Sequence, residues 1–470
     1  MSEVTKPLVL NETFANKLDT TNDILADIAY ASSTKPNSWE EVRKIIRNGQ
    51  GPRKFPVGTE FVVGRTKNMT ATIGNGDGET PGITAASVTR DTFVHAMGES
   101  ANKDYEFVYD GGVWTYNGVP VELTTYGISV TGTPILHDEI IIHETADKIT
   151  WQVLGHNLEE LADSQFSYSM TLGTKDVYTE LQFDAREALF AVVGENALAA
   201  GTYHFLLAAQ PWYASDVNKN MQFTLTQDVP VGGQIVLTNT YNATMIGASV
   251  KTYASANDTT EIEVATISEG TSGTDLGTVN NAKNTETGVN SIQRALNGNN
   301  NYAESAIRQY LNSAGAKTTF WAKQNVWDRK PSWFTDTDGF MYELDDDFIA
   351  ATGKVKKVFA LNTVCDGGGS IKITDRFFLL SRTEVYGGNE NSIAEGSVYP
   401  FYQMYSDLSQ AGTGADSNRI KMRAGTAKYW WLRSPYDGYA GQPRSCYTSG
   451  AVYDFNASNS RGVAPACVIY

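Results

Sequence analysis

The chain has 470 residues, a formal net charge of −16 and a pI near 4.8. Its length predicts about three domains, and its acidic balance argues against a nucleic-acid-binding surface, which needs clustered lysine and arginine. No apolar run is long enough to span a bilayer, and three cysteines are too few for a disulfide framework, which fits synthesis in a reducing cytosol.

The first regular pattern is a heptad seam near the N-terminus. The residues that repeat at alternating spacings of four and three are Phe14, Leu18, Thr21, Leu25 and Ile28. Two heptads are marginal alone, so we expect this helix to gain stability from association with other copies or from docking. A single amphipathic helix packed on its own chain explains the pattern equally well. Residues 1–35 are therefore interpreted as a helical attachment and oligomerisation segment.

Residues 36–165 are predicted to form a β-rich domain that begins with one helix. Ser38 and Glu41 form a capping box at its start, and Asn48 and Gly49 end it. Its apolar face consists of Trp39, Val42, Ile45 and Ile46. The later part contains a hairpin with an Asn-Gly turn at 117–118 and an alternating strand at 149–154.

Residues 166–283 are predicted to form an antiparallel sandwich or jelly roll. Short apolar strands separated by glycine favour this architecture, and they lie at 201–207, 221–225 and 234–237. Residues 255–283 are rich in threonine, asparagine, glycine and acidic residues. We interpret them as a linker that leaves the sandwich.

Residues 284–470 change in style and are predicted to form a third, α+β domain. A helix capped by Asn301 with Glu304 is expected, and its apolar face would contain Ala303, Ile307, Tyr310 and Leu311. Residues 377–381, with the sequence Phe-Phe-Leu-Leu-Ser, indicate a buried strand.

The C-terminal stretch 428–470 has a bulky frame around a polar middle. The frame opens with Tyr-Trp-Trp-Leu-Arg-Ser-Pro at 429–435 and closes with the apolar run at 462–470, as expected of a strand buried on both faces. Tyrosine, serine, asparagine, aspartate, glycine and alanine make up most of residues 436–461. Antibody paratopes have this composition, because tyrosine supplies contact area at low entropic cost and small polar residues supply adaptable hydrogen bonds. An ordinary polar loop has the same composition.

The frame resembles the C-terminal variable region of C-type-lectin-fold proteins that retroelements diversify in phages. The matching motifs are Trp-Leu-Arg-Ser-Pro at 431–435 and Gly-Val-Ala-Pro-Ala-Cys at 462–467. In that family a reverse transcriptase miscopies template adenines, so that asparagine codons become codons for many other residues. The order of helix, aromatic loops, buried strand and Trp-Leu-Arg-Ser-Pro is similar to the wider group of C-type-lectin-like domains. The resemblance is strongest over 284–470.

This resemblance implies which positions vary and bind the ligand. They are Tyr436, Asp437, Tyr439, Arg444, Tyr447, Tyr453, Asp454, Phe455, Asn456, Ser458, Asn459 and Arg461. Of these, we expect Tyr436, Tyr439, Tyr447, Tyr453, Phe455 and Asn456 to lie exposed on one face of the domain. The frame residues Trp430, Trp431, Leu432 and 463–469 are expected to be buried.

The resemblance also implies a homotrimeric phage tail-tip or fibre protein of the virion, made in the host cytoplasm and acting outside the cell. Such a protein would bind a protein or glycan receptor on the host surface and contact other tail proteins through its N-terminus. No enzymatic activity, nucleic-acid binding or membrane insertion is expected.

The fold class that follows is mainly β with a few helices. It comprises an N-terminal helical segment, a β-rich middle with the sandwich, and a C-terminal C-type-lectin-like domain of α+β type. Lectin-like domains often begin with a strand such as 149–154. The sandwich is then interpretable as an insertion into a discontinuous lectin-like domain.

No metal site or cofactor is predicted. Asp345, Asp346 and Asp347 lack the spacing of an EF-hand loop and are better explained as a solvated loop or helix cap. His137 and His143 lie six residues apart, which is not a zinc-helix spacing. The Glu-Pro-Asn and Trp-Asn-Asp triplets of calcium-dependent lectins are absent from the sequence.

Catalytic motifs are equally weak. The fold family includes formylglycine-generating enzymes that use a cysteine pair, but Cys467 lies in an apolar run, where a thiol is more often inert packing than a partner for Cys446. The glycine-rich stretch 74–78 lacks the Gly-Lys-Ser/Thr ending of a phosphate loop, and 367–369 is an ordinary loop.

Two alternative functions remain open from the sequence. The middle sandwich could bind or degrade glycans, with Trp212, Tyr213 and Tyr241 stacking on sugar rings. The chain could instead be a structural capsid or tail decoration protein, which would not bind host cells.

Overall fold

The computed structural model describes residues 36, 38–97, 104–208, 218–238, 245–342, 344–403 and 414–470. Within these ranges the fold is mainly β with a few short helices, as predicted. The N-terminal heptad seam lies outside the described residues. In the described part, no helix is both long and apolar enough to cross a membrane.

Among the described residues up to 161, the N-terminal part combines three short helices with eight strands. The helices are α1 (Trp39–Arg47), α2 (Gly51–Lys54) and α3 (Arg90–Met97), with a 3-10 helix at Leu123–Tyr126. The strands are β1 (Glu60–Asn75), β2 (Ile83–Val88), β3 (Asp104–Asp110), β4 (Val113–Tyr116), β5 (Val119–Val121), β6 (Ile128–Gly132), β7 (Asp138–His156) and β8 (Glu160–Leu161).

Two local sequence signals in this part are confirmed. The Ser38 Oγ accepts a hydrogen bond from the backbone N–H of Glu41 at 3.3 Å and caps α1, whose buried face consists of Val42, Ile45 and Ile46. Asn117 and Gly118 have φ values of 52° and 74° between β4 and β5. Both residues are in the left-handed region that a two-residue type I′ hairpin turn requires.

The long strands β1 and β7 connect two hydrophobic cores. They pair antiparallel from Glu60 opposite Gln152 to Asn75 opposite Asp138. At one end, β7 contributes Trp151 to the main core, and at the other end its isoleucines pack in a separate small core. That small core is formed by Met69, Ile83, Phe93, Tyr105, Phe107, Leu123, Ile128, Ile140 and Ile142. The β1–β7 pair therefore contributes side chains to both cores.

The sandwich occupies residues 190–279. Two strands come before it in the chain and belong to the C-terminal body, namely β9 (Met170–Thr174) and β10 (Thr179–Gln182). The sandwich strands are β11 (Phe190–Ala191), β12 (Gly201–Leu207), β13 (Lys219–Leu225), β14 (Gln234–Leu237), β15 (Ser249–Tyr253), β16 (Glu263–Thr266), β17 (Ser268–Glu269) and β18 (Thr274–Val279). They form two four-stranded sheets, ordered β11-β14-β15-β16 and β17-β13-β12-β18. Side chains such as Phe205, Phe223 and Ile235 fill one core of their own.

The prediction that residues 255–283 form a linker is wrong. Three strands, β16 to β18, fall in this segment, and β18 pairs in parallel with β12. Val279 is fully buried in the sandwich core. The polar composition of the segment is explained by short strands with exposed side chains, which sequence alone does not distinguish from a loop.

The C-terminal body contains the remaining elements. Its helices are α4 (Ile292–Asn297), α5 (Ala306–Leu311), α6 (Asp346–Ala351), α7 (Arg382–Tyr386) and α8 (Pro400–Gln403), with 3-10 helices at Ser332–Thr335 and Gly414–Arg419. Its strands are β19 (Thr352–Gly353), β20 (Val355–Ala360), β21 (Ser370–Asp375), β22 (Phe377–Leu379), β23 (Lys421–Arg423), β24 (Thr426–Lys428), β25 (Trp430–Pro435), β26 (Pro443–Cys446), β27 (Val452–Asp454), β28 (Ser460–Val463) and β29 (Pro465–Ile469).

Strands from before the sandwich complete the sheets of this body. The large sheet runs β19-β29-β9-β7-β3-β4-β5, and β10 pairs with β28 in a second sheet. The sequence-based division assigned 166–283 to the sandwich, whereas the strands at 170–182 pair with C-terminal strands. The sandwich therefore interrupts the chain between β10 and α4.

The C-terminal strand lies between two layers of core, as predicted. All five residues of β29 are buried, with Cys467 and Ile469 in the main core and Ala466 and Val468 in a second core on the opposite face. This alternation follows from the two-residue repeat of a strand.

One helix start differs from the prediction. Helix α5 is capped by Ser305, whose Oγ accepts from the N–H of Arg308 at 3.3 Å. Asn301 instead accepts from the N–H of Ala303 in the turn that precedes the helix. The predicted buried face is confirmed for Ile307, Tyr310 and Leu311.

Candidate ligand-binding surface

Residues 436–461 connect two strands of one five-stranded sheet and contribute two further strands to it. Its strand order is β10-β28-β25-β26-β27. Strand β25 enters the region, β26 and β27 form a hairpin within it, and β28 leads out, next to β25 again. All residues of β25 are buried. Both ends of the region are therefore attached to the same buried strand.

The two adjacent tryptophans of β25 fix this sheet from opposite sides. Trp431 packs in the main core and donates its indole N–H to the carbonyl of Leu181 at 2.9 Å. Trp430 packs in the second core and donates to the carbonyl of Arg419 at 2.8 Å. Both rings are fully buried, so the predicted burial of the frame is confirmed.

A glycine allows the returning strand to approach β25 closely. The N–H of Gly462 donates to the carbonyl of Tyr429 at 2.8 Å. A Cβ at this position would lie 2.5 Å from the same carbonyl oxygen, which is too short for any side chain. The glycine of the Gly-Val-Ala motif is thus required by close packing.

The arginine of the Trp-Leu-Arg-Ser-Pro motif is anchored by a buried charge network. The Arg433 guanidinium donates to both carboxylate oxygens of Glu384, at 2.6 and 2.9 Å, and Lys357 Nζ lies 2.5 Å from Glu384 and from Glu159. Burial alone would raise the pKa of Glu384, but Arg433 and Lys357 hold it at about 2. The next residue, Ser434, donates its hydroxyl to Glu395.

Four aromatic side chains and one arginine form a continuous cluster on one face of the β26–β27 hairpin, here called the aromatic platform. The rings are those of Tyr429, Tyr447, Tyr453 and Phe455, and the arginine is Arg461. The ring centroids of Tyr429 and Tyr447 are 4.5 Å apart, those of Tyr429 and Phe455 4.8 Å, and those of Tyr453 and Phe455 5.1 Å. The Arg461 guanidinium lies 4.0 Å from the Phe455 centroid. Tyr453 is 50% exposed.

A second group, here called the Arg444 patch, lies on the other face of this hairpin. Arg444 Nε is 2.6 Å from Glu390 Oε1, and Arg444 Nη1 is 3.4 Å from Asp454 Oδ1. Its guanidinium lies 4.1 Å from the centroid of Tyr436, which stacks on Tyr439 at 4.8 Å. Burial raises the pKa of Asp454, and Arg444 opposes this rise.

The predicted ligand-binding residues are therefore less exposed and less uniform in direction than expected. Tyr453 is exposed, whereas the other predicted positions are half-buried: Tyr436, Asp437, Tyr439, Arg444, Tyr447, Asp454, Phe455, Asn456, Ser458, Asn459 and Arg461. Because successive side chains of a strand point to opposite faces, Tyr453 and Asp454 lie on different faces of the hairpin. The aromatic side chains are half-buried because they pack on one another.

The main chain of the region is tied to its support. Asp437 accepts at its carbonyl from the N–H and hydroxyl of Thr363, both at 2.9 Å. The Asn456 side chain accepts from Gln442 Nε2 at 3.1 Å. The Ser458 N–H donates to the carbonyl of Asn297 at 2.8 Å. These contacts fix the backbone while side chains project from it.

Three contributing residues were missed from the sequence. Tyr429 was assigned to the buried frame but belongs to the platform, and Glu390, far from the region in sequence, pairs with Arg444. Asn300 is fully buried, and its amide donates to the carbonyls of Tyr439, at 2.5 Å, and Gln442, at 3.1 Å. No local pattern in the sequence marks these long-range contacts.

The other sequence-predicted sites carry structural roles. Asp345 caps α6 by accepting from the N–H of Phe348 at 2.8 Å, as the helix-cap interpretation predicted. His137 pairs with Asp77 at 2.6 Å and His143 with Asp104 at 2.9 Å. In the described ranges, no group of three or more histidine, cysteine, aspartate and glutamate side chains is placed to hold a metal ion.

Cys446 and Cys467 are fully buried. Burial raises the pKa of the Cys446 thiol to about 12 and raises that of Cys467 well above its ordinary value. Neither thiol is an activated nucleophile. The aromatic residues proposed to stack on sugars, Trp212, Tyr213 and Tyr241, lie outside the described residues.

Comparison with known proteins adds one family. Residues 260–470 match the family model described as a domain of unknown function, DUF6273. The matched part runs from the last strands of the sandwich to the C-terminus and includes the whole of 436–461. No curated protein and no solved structure matches the chain.

Proposed function

We propose that the chain is a phage receptor-binding protein whose aromatic platform and Arg444 patch contact a ligand on the host-cell surface. The observation that carries this proposal is the contrast between the two parts of the five-stranded sheet. Trp430 and Trp431 are fully buried, whereas Tyr453, on the adjacent hairpin, is half exposed among other aromatic rings. A rigid support below a partly exposed aromatic surface is the arrangement that binding hot spots use.

The composition of the surface suits a target that changes. Tyrosine and phenylalanine supply contact area with few rotatable bonds, while asparagine and serine supply hydrogen bonds in many geometries. Because the backbone of 436–461 is held by the body, through Thr363 and Asn300, side chains can be replaced without rebuilding the fold. This separation supports the proposed retroelement diversification at the variable positions.

The proposal includes a virion location at the tail, assembly as a homotrimer and contact with other tail proteins through residues 1–35. It includes neither enzymatic activity nor nucleic-acid binding or membrane insertion. The ligand is a protein or a glycan of the host surface.

The binding experiment compares two aromatic surfaces of one protein. Fluorescently labelled wild-type protein is incubated with bacterial strains that the phage infects, and cell-bound fluorescence is measured by flow cytometry. We expect Tyr453→Ala/Phe455→Ala to lower binding at least tenfold, which corresponds to about 1.4 kcal/mol. Tyr168→Ala is the matched control, because Tyr168 is 46% exposed and lies outside the platform. Equal binding by the wild type and the double variant would contradict the assignment of the platform.

The diversification hypothesis has its own test in the DNA that flanks the gene. We expect an adenine-rich near-copy of the sequence encoding 436–461 beside a reverse-transcriptase gene. If sequencing of the flanking DNA finds neither, the retroelement part of the proposal is wrong. Receptor binding is tested independently by the cell-binding experiment.

A further inference from the structure

A cavity of about 490 Å³ lies where the small core around Phe107 reaches the surface. Trp114 of β4 lies opposite Tyr109 of β3 and opposite Val121 of β5, so these three side chains share one face of the sheet. Tyr109 follows Phe107 by two residues, and this face therefore continues the buried core. Ile128 of β6, which is buried, also lines the cavity. Small-ligand sites commonly have this size and this position at the mouth of a β-structure.

Two aromatic rings in the wall of this cavity are only half-buried. The ring centroids of Tyr109 and Trp114 are 5.4 Å apart, with 59° between the ring planes. Phe107, deeper in the same core, is fully buried. A half-buried ring keeps part of its surface for a ligand. The face of a pyranose ring that carries C–H groups packs well on such a surface, because it is apolar although the sugar as a whole is polar.

Three polar side chains line the same cavity, those of Glu122, Thr124 and Ser129. All three residues are exposed. Their side chains form no hydrogen bond or ion pair with any other residue that the structure describes. The carboxylate offers two acceptor oxygens, and each hydroxyl group can both donate and accept. This set of groups matches a ligand that carries several hydroxyl groups.

The charge of the lining argues against an anionic ligand. No lysine or arginine is among the described residues that line the cavity, whereas Glu122 is. Asp110, next to Tyr109, adds a second exposed carboxylate nearby. A phosphate, a uronate or a sialic acid would face these carboxylates without a compensating cation, and such like-charge contacts are unfavourable.

The edge strand beside the cavity does not suit an added peptide strand. Strand β5 ends its sheet, so one of its edges is unpaired within the described part of the sheet. It has three residues, and Pro120 is the central one. Proline has no N–H to donate, and short proline-containing edges resist pairing with another strand. An extended peptide would therefore gain few backbone hydrogen bonds here.

We propose that this cavity binds a neutral oligosaccharide, with one pyranose ring packed on Trp114 and its hydroxyl groups bonded to Glu122 and Ser129. The carboxylate can accept from two neighbouring hydroxyl groups, which fixes the orientation of the ring, while the aromatic wall supplies contact area. The site shares no residue with the aromatic platform. It therefore adds a second ligand to the one proposed for the variable region.

The experiment incubates the labelled full-length protein with an array of neutral hexose and N-acetylhexosamine oligosaccharides, printed beside sialylated and uronate-containing ones. The neutral glycan with the strongest signal is then titrated into the protein by calorimetry. We expect binding to neutral glycans and none to the acidic ones. The platform variant Tyr453→Ala/Phe455→Ala should bind the titrated glycan with the Kd of the wild type, because the two sites share no residue.

Two substitutions in the cavity should weaken this binding. Glu122→Gln and Trp114→Ala should each raise Kd about tenfold or more, since one removes a charge-assisted acceptor and the other the packing surface. Glu122 is exposed, so its variant should keep the Tm of the wild type. Trp114→Phe retains a ring and should keep most of the affinity even where Trp114→Ala lowers Tm. Glu269→Gln is the matched control, because Glu269 is an exposed glutamate in β17 of the sandwich.

The proposal is overturned if no neutral glycan binds, or if acidic glycans bind in their place. It is also overturned if Glu122→Gln and Trp114→Ala both bind the titrated glycan like the wild type. Loss of binding in the platform variant alone would have the same consequence, since the glycan would then contact the variable region and not this cavity.

Discussion

Arg433 and Glu384 form a buried ion pair in which Nη1 lies 2.6 Å from Oε2. Neither side chain has appreciable contact with solvent. Glu384 also joins the capping box of α7, since its carboxylate accepts from the N–H of Ser381 at 2.8 Å. One carboxylate thus connects β25, which carries the variable region, to a helix on another part of the body.

We expect Glu384→Gln to lower the free energy of unfolding by about 3 kcal/mol. The substitution leaves the Arg433 guanidinium buried without its anion, and breaking one side of a buried pair is strongly destabilising. Urea unfolding followed by tryptophan fluorescence measures the change. Glu180→Gln is the control, because Glu180 pairs with Arg423 at 3.2 Å on the surface, and an exposed pair contributes less than about 1 kcal/mol. Equal losses in the two variants would contradict the structural role of the buried pair.

Glu395 should make the protein less stable as the pH rises from about 4.5 to about 7. Burial raises its pKa to about 7, although Arg433 and the Ser434 hydroxyl oppose the rise. The folded state then keeps a proton that the unfolded state has released, so unfolding becomes easier with each pH step in this window. The full effect is about 3 kcal/mol.

Glu395→Gln tests this sign. The free energy of unfolding of the variant, relative to wild type, should increase between pH 4.5 and pH 7 and stay constant above it. Urea unfolding at four pH values gives the comparison. A difference that does not change with pH would show that Glu395 titrates alike in the folded and unfolded chains.

Local signals in the sequence located several elements correctly, for identifiable reasons. The apolar run at 465–469 specifies a strand buried on both faces, and Asn117 with Gly118 specifies a turn that few other pairs adopt. The Ser38 cap is equally local, because its hydrogen bond spans three residues. In each case the deciding interaction lies within a few residues of the signal.

The errors concern interactions between distant segments. The pairing of Leu181 with Arg461 in adjacent strands joins residues on either side of the sandwich, and no local pattern encodes that register. For the same reason, the sequence did not predict that Glu390 pairs with Arg444. Phe455 was expected to be exposed, but it packs against the main core and Tyr429, since neighbouring aromatic rings bury one another.

The cysteines should be slow to react in the folded protein. Burial raises the pKa values of all three thiols, but Cys446 and Cys467 are fully buried, whereas Cys365 is half-buried and more accessible. Because the thiolate is the reactive form, we expect Cys365 to be labelled first by a maleimide at pH 7. Mass spectrometry counts the labels, and urea-unfolded protein should take up three. Rapid labelling of Cys446 or Cys467 in the folded protein would contradict their burial.

The homotrimer prediction concerns residues 1–35, which carry the heptad seam. Light scattering of the full chain should give three times the protomer mass of 51.3 kDa, and Leu18→Asp/Leu25→Asp should lower it, because a charged residue in an apolar seam disfavours association. Asn11→Asp, outside the seam, is the control. A mass near one protomer for the wild type would remove the trimer from the proposal.

The frame and the platform should differ in what their substitution does to stability. Trp431→Ala removes a fully buried ring that donates to the Leu181 carbonyl, so we expect a loss of about 3–5 kcal/mol through transfer and cavity effects. Tyr453→Ala removes a half-exposed ring and should change the free energy of unfolding by less than about 0.5 kcal/mol. Phe455→Ala should lie between them, near 1 kcal/mol by rough analogy with typical substitutions, because Phe455 contacts the core from one side.

This order separates support from binding surface, and urea unfolding of the three variants measures it. Binding by folded Tyr453→Ala protein should nevertheless fall, since a partly exposed aromatic ring is available to a ligand and a buried one is not. If Tyr453→Ala unfolds at the same urea concentration as Trp431→Ala, Tyr453 is part of the core. The aromatic platform would then stabilise the hairpin and would not be the surface that meets the receptor.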